Sequence, residues 1–192
     1  MSDKHVCPVW MGHLLSSPLR RLIENPFKIL SPYIEEGMTV IDVGCAMGFF
    51  SLPMALMVGP SGKVFCIDIQ EKMVSKLYRK AKKKNLSDRI EVRVAKENSL
   101  NTDDLESVAD FVLASAVAHE VSDRSSFFSQ LFSMQKESGE LLVLEPSFHV
   151  SQKDFSITME AAKNAGYALC SGLELRRRRT ALFKKPSQPV SR

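Results

Sequence analysis

Thr39-Val40-Ile41-Asp42-Val43-Gly44-Cys45-Ala46-Met47-Gly48 is the stretch on which the reading of the fold turns. A short run rich in β-branched side chains, bounded by Gly37 and Gly44, predicts a buried strand. From there the chain alternates. Phe50 to Val58 is apolar nearly all round and predicts a buried helix starting near Ser51, with Pro53 in the first turn, where its missing N–H is tolerated. Lys63 to Ile67 reads as a second strand. Residues 70–84 place Met73, Val74, Leu77 and Ala81 on one stripe of an amphipathic helix. Strands follow at Ile90 to Val94, Ala109 to Ala114 and Glu140 to Leu144, with a helix at Asp123 to Met134 whose inward face is Phe127, Phe128, Leu131 and Phe132. Ser151 and Asp154 form a capping pair that opens another helix, and Gly166 stops it.

Strands separated by helix-length segments require βαβ crossovers, hence an α/β fold with a doubly wound, mostly parallel sheet. The last two predicted strands, near 168–175 and 179–184, are joined too closely for a crossover and must pair as an antiparallel hairpin. Upstream, Asn25 and Pro26 mark the start of a helix, as cap and first residue. Residues 1–18 have no period and read as an N-terminal arm, with residues 19–192 as a single domain.

Composition agrees with one globular unit. The chain has 192 residues, 44% hydrophobic and 25% charged, which excludes a wholly disordered, collagenous or coiled-coil protein. A net charge of +4 demands no nucleic-acid partner. The 4 cysteines (Cys7, Cys45, Cys66, Cys170) form no C-x-x-C pair and no zinc-finger spacing, so free thiols and no metal are expected. Asp3, His5, Pro8 and His13 break up any signal-peptide core, and no apolar run is long enough to span a bilayer. The expectation is a soluble cytoplasmic protein.

In open α/β sheets, ligands bind beyond the carboxyl ends of the strands. The bend after the first strand has Gly44, Ala46 and Phe49 where a dinucleotide fingerprint needs three glycines, and Gly59 to Lys63 lacks the pattern of a phosphate loop. A hydride-transferring dehydrogenase is therefore disfavoured. Two acids stand at strand ends instead. Asp42 precedes the bend and suits a cationic or hydrogen-bond-donating group. Asp68 ends the second strand, where a carboxylate accepts bonds from ribose hydroxyls. Ile69 beside it would lie against a planar base. A ribose-bearing, positively charged ligand without phosphates fits this set, and S-adenosylmethionine answers that description.

The same residues resemble a known family. Val40 to Phe49 resembles motif I of the class I S-adenosylmethionine-dependent methyltransferases, and Val64 to Ile69 their following segment. The resemblance covers roughly residues 35–185 and is nearest to the small-molecule branch that includes quinone-biosynthesis enzymes. It implies a seven-stranded sheet of Rossmann-like type with the last strand inserted antiparallel. It also implies that Gly44, Cys45, Ala46 and Gly48 lie along the methionine part and that Asp68 holds the ribose. Ser115 would lie near the methionine or the substrate. The family often carries an acid after the third strand that meets the adenine amino group; here Lys96 and Glu97 occupy that region, and the middle glycine of motif I is Ala46. S-adenosylhomocysteine would be the product.

For catalysis, the segment after the fourth strand, Ala114 to Glu120, offers His119 as a general base. It has no Asn-Pro-Pro-aromatic run, which disfavours base- or glutamine-modifying methyltransferases. Glu145 and His149, beyond the fifth strand, are candidates for the substrate mouth. Trp10 and Met11 could form a lid, against plain packing. Arg176 to Arg179 is the one run that invites a nucleic-acid reading, but without interleaved aromatics. The expected function is methyl transfer to a small-molecule acceptor. The alternatives are an RNA or protein methyltransferase, or a domain that binds the cofactor without catalysis. The pattern sets neither the acceptor atom nor an oligomeric state.

Overall fold

The computed structural model describes residues 24–171, 175 and 177–187. The arm at 1–18, with Trp10 and Met11, and the arginine at position 176 lie outside the described residues. The chain divides into two compact units, Met1–Glu97 and Asn98–Arg192.

In the first unit, α1 (Pro26–Leu30) starts at Asn25, whose side chain accepts from the Phe27 and Lys28 amides at 3.0 and 3.3 Å, the cap expected for an Asn-Pro start. Strand β1 (Thr39–Val43) pairs in parallel with β2 (Lys63–Asp68), and β2 with β3 (Ile90–Val94). The connecting helices are α2 (Ser51–Met57) and α3 (Glu71–Lys83). Met73, Val74, Leu77 and Ala81 are the buried stripe of α3. They pack in a core that also contains Val40, Ile41, Val64 and Ile67. Each fully buried side chain of Leu or Ile size contributes about 1.5–3 kcal/mol relative to exposure.

The second unit holds β4 (Ala109–Ser115), α4 (Arg124–Met134), β5 (Gln135–Pro146), α5 (Gln152–Asn164), β6 (Ala168–Ser171) and β7 (Arg178–Lys184). β4 and β5 are parallel; β7 pairs antiparallel with both β5 and β6. Helix α4 is capped by Asp123, which accepts from the Ser126 amide, and α5 by Ser151, which accepts from the Asp154 amide. Phe127, Phe128, Leu131 and Met134 are the buried face of α4, whereas Phe132 is only half-buried and meets Tyr167 edge-on.

β5 is longer than its apolar pattern predicts. Its polar first part runs straight on from α4, with a register shift against β4 and Ser138 in the left-handed region at φ +63°. Polar side chains hold it: Lys136 pairs with Asp110 at 2.7 Å, and the Tyr167 hydroxyl bonds Gln135. β6 is described over Ala168–Ser171, and residues 172–174 of the predicted strand lie outside the described residues.

The strands form a seven-stranded sheet in the order β3-β2-β1-β4-β5-β7-β6. This is the expected doubly wound α/β architecture, mostly parallel, with an inserted antiparallel C-terminal strand.

Candidate functional site

Each unit carries a polar cluster at the carboxyl ends of its parallel strands. In the first unit the bend after β1 alternates left-handed residues: Gly44 at φ +73°, Ala46 at φ +45° and Gly48 at φ +82°. Such backbone turns the chain sharply, and at the two glycines it does so with no Cβ in the way. Ala46 adopts it without a glycine's freedom, at a cost of about 1–2 kcal/mol. Gly48 serves packing: a Cβ there would lie 3.0 Å from Leu77 Cγ and 3.3 Å from Leu52 Cγ. The Gly44 and Cys45 amides both donate to the Ile67 carbonyl, and the Lys80 ammonium donates to the Met47 carbonyl at 3.0 Å.

Asp68 ends β2 beside this bend. Its Oδ2 accepts from the Ala46 amide and its Oδ1 from the Gln70 amide, both at 2.9 Å. A carboxylate offers about four acceptor positions, so each oxygen keeps capacity for another donor. Burial pushes the Asp68 carboxyl above its ordinary range, and the two amide bonds pull against that rise. Ile69 next to it is 47% exposed, an apolar surface beside an acceptor. Lys96 and Glu97 follow β3, both exposed.

Asp42 differs from its sequence-based picture. Its side chain is buried and accepts from the Ser51 hydroxyl at 2.5 Å, tying β1 to the first turn of α2. Cys45 and Cys66 are also buried, and burial pushes both thiols up, with the Asp42 charge adding to the effect.

In the second unit Ser115 ends β4. Its Oγ is buried and has no hydrogen-bond partner among the described residues. The turn that follows brings His119 to Glu145, at the end of β5. Glu145 is 0% exposed. It accepts from the His119 amide at 3.2 Å and sits 2.6 Å from His119 Nδ1. His149 Nε2 lies 3.0 Å from His119 Nε2, and the exposed Phe148 ring stands edge-on to His149. Arg124 Nε donates to the Ala118 carbonyl and fixes the turn.

Burial works against the cationic form of His119. The Glu145 carboxylate outweighs it through its hydrogen bond and charge, Glu120 adds to this, and the ring is held above its usual value. His149 moves the other way, lowered by desolvation and by the neighbouring His119.

The structure thus joins Ala46 with Asp68, and His119 with Glu145 and His149. Sequence reasoning missed the bond between His119 and Glu145. The signal was available: consecutive parallel strands put both residues at carboxyl ends of neighbours. Arg179 is claimed by structure, its Nε donating to the Val150 carbonyl at 2.7 Å and its Nη1 to Gln152 at 2.6 Å, so it braces the loop after β5. No group of three or more His, Cys, Asp or Glu among the described residues gathers as a metal site, and no helix among them is long and apolar enough to cross a membrane.

Comparison with known proteins gives a concordant picture. The chain is similar to a crystal structure of a SAM dependent methyltransferase from Aquifex aeolicus, with 25% identity, a TM-score of 0.82, and coverage of 93% of this chain and 98% of that one. It is 29% identical over 135 residues to the ubiquinone/menaquinone biosynthesis C-methyltransferase UbiE of Pasteurella multocida (strain Pm70), covering 70% of this chain and 49% of the relative. A shorter match, 47% over 49 residues, links it to the ribosomal RNA large subunit methyltransferase E of Nitratidesulfovibrio vulgaris (strain DP4), covering 26% of this chain and 22% of that protein. The aligned regions therefore span about half or less of these curated relatives. The model of a family described as a methyltransferase domain matches residues 34–184, most of the chain and all seven strands, and the chain belongs to that family.

Proposed function

We infer that this protein is an S-adenosylmethionine-dependent methyltransferase acting on a small-molecule acceptor in the cytoplasm. The observation that carries the reading is Asp68, an acid at a strand tip with remaining acceptor capacity on both oxygens, bonded to the bend through Ala46 and flanked by exposed Ile69. That set suits a ribose with an adenine beside it. The family match runs through both compact units, which supports reading residues 19–192 as one methyltransferase-like domain.

The residues fit the cofactor. Asp68 would take the ribose hydroxyls and Ile69 the base. Lys96 or Glu97 would meet the adenine amine. The backbone at Gly44, Cys45, Ala46 and Gly48 would follow the methionine part, with Asp42 bracing the bend from beneath through Ser51. The orphaned Ser115 hydroxyl suits the amino acid or the acceptor. When bound, the cofactor would supply an electrophilic methyl group together with its own sulfur leaving group. The chain's part is orientation and proximity, and His119 supplies the basicity for an acceptor that carries a proton.

An RNA acceptor is the second reading, supported by the short match to a ribosomal RNA methyltransferase. The commitment of Arg179 to the loop after β5 weighs against a phosphate-gripping role for that residue.

Calorimetry tests the assignment. S-adenosylhomocysteine should bind with a Kd on the order of micromolar, and NAD should not bind. Absence of S-adenosylhomocysteine binding overturns it. Turnover against pools of small molecules and of RNA then separates the two acceptor classes, and steep salt dependence of RNA retention would favour the second.

A further inference from the structure

The cluster at the ends of β4 and β5 contains more than one base. Glu145 receives both its described donors, an amide and a ring N–H, from His119. Its carboxylate therefore fixes the His119 ring with Nδ1 protonated and leaves Nε2 as the basic atom. His149 Nε2 stands 3.0 Å from that atom, within reach for a proton to pass to it through the second ring. His149 itself is exposed.

We propose that Glu145, His119 and His149 form a relay in which His149 meets the acceptor, His119 stores the proton and Glu145 positions His119. This rests on the methyltransferase reading and adds the substrate class: an acceptor bearing a hydroxyl, an amine or a comparably acidic C–H. The proton balance closes. The acceptor gives its proton to Nδ1 of His149 as it takes the methyl group. The proton on Nε2 of His149 crosses to Nε2 of His119. The positive charge then rests on His119, against the buried Glu145 carboxylate, where an imidazolium is best accommodated. The reverse transfer releases the proton to water from the exposed His149 ring. No electron is gained or lost by the rings.

The charged groups around the pair suit this division. Glu145 on β5 and Glu120 in the turn favour a cation on His119, opposed by Arg124 at the start of α4. His149 faces His119 and Arg178 of β7, both of which disfavour a resident charge there, with Glu145 opposing them.

Imidazole ¹⁵N resonances of the full-length protein, followed through a pH titration, test the relay without an acceptor. The first proton to bind should appear on His119, while the proton on His149 moves from Nε2 to Nδ1. The two macroscopic steps should be separated by at least about one pH unit, tenfold in proton affinity. In His149→Ala, His119 should titrate in one step; in Glu145→Gln, His119 should lose its place as the first site protonated. Independent single-step titration of the two rings, with His149→Ala leaving the His119 curve unmoved, overturns the proposal. So does stoichiometric Zn²⁺ binding that both rings ligate, which would make this a metal site. Failure of the wild type to bind S-adenosylhomocysteine would count against the methyltransferase reading alone, since the titration is read without ligand.

Discussion

The Ala46 amide donates to Oδ2 of Asp68 at 2.9 Å, so the acid at the tip of β2 and the bend after β1 are one hydrogen-bonded unit. Removing the carboxylate takes away the proposed ribose acceptor and a pin on the bend together. Asp68→Ala should weaken S-adenosylhomocysteine binding by about 1.5–3 kcal/mol, roughly ten- to a hundredfold. Asp68→Asn retains one acceptor oxygen and should fall between. Calorimetry reading the same Kd for Asp68→Ala as for the wild type would remove Asp68 from the ribose contact.

Two neighbouring positions in the bend should respond in opposite directions. Ala46 sits at φ +45°, so Ala46→Gly relieves strain and should raise stability by about 1 kcal/mol, net of glycine's greater freedom in the unfolded chain. Gly48→Ala adds a Cβ at φ +82° and within 3.0 Å of Leu77, and should lower stability by about 1–3 kcal/mol. Denaturant midpoints give both signs.

Ser51→Ala withdraws a donor from the buried Asp42 carboxylate. The expected cost is about 1–3 kcal/mol, the penalty for leaving a buried polar atom short of a bond. Thermal melts that coincide with the wild type would show that the other contacts of Asp42 suffice.

The acid–base behaviour of the histidine cluster sets a pH window. His119 in the folded chain is held above its ordinary value of 6.5, so the stability it contributes is full below that value and is lost as pH rises through the raised one. His149, which is lowered, acts in the opposite sense. Comparison with Glu145→Gln isolates the first effect. The wild-type advantage over this variant should be larger at about pH 5.5 than at about pH 8.5. An advantage independent of pH would mean that Glu145 does not set the His119 charge.

The proposed role of His119 as a base has a kinetic test as well. Once an acceptor is in hand, His119→Ala should reduce kcat around a hundredfold. Unchanged turnover would take His119 out of the mechanism.

Much of this architecture is legible in the sequence because β1, β2, β4 and the later part of β5 are β-branched or aliphatic runs, and periodicity reports such segments directly. The start of β5 is not, since Gln135 to Gly139 is polar and is held by Tyr167, Asp110 and Lys185, residues remote in the chain. At the site, the strand-end location of the acid at 68 and the apolar residue at 69 could be read from the sequence. Asp42 could not, because a hydroxyl nine residues later, in the first turn of α2, claims it. Arg179 misleads for a similar reason: its charge looks available until the loop carbonyl of Val150 is placed beside it. Local pattern reports burial well, whereas pairing of polar groups depends on which segments become neighbours.

The buried sulfurs have a practical bearing. Cys45, inside the bend, and Cys66, on β2, remain in the protonated, poorly nucleophilic form at neutral pH, while Cys170 stands exposed on β6. Among these three, a maleimide dye should therefore mark β6 and leave the bend untouched, providing a fluorescent reporter that does not disturb the loop it is meant to watch.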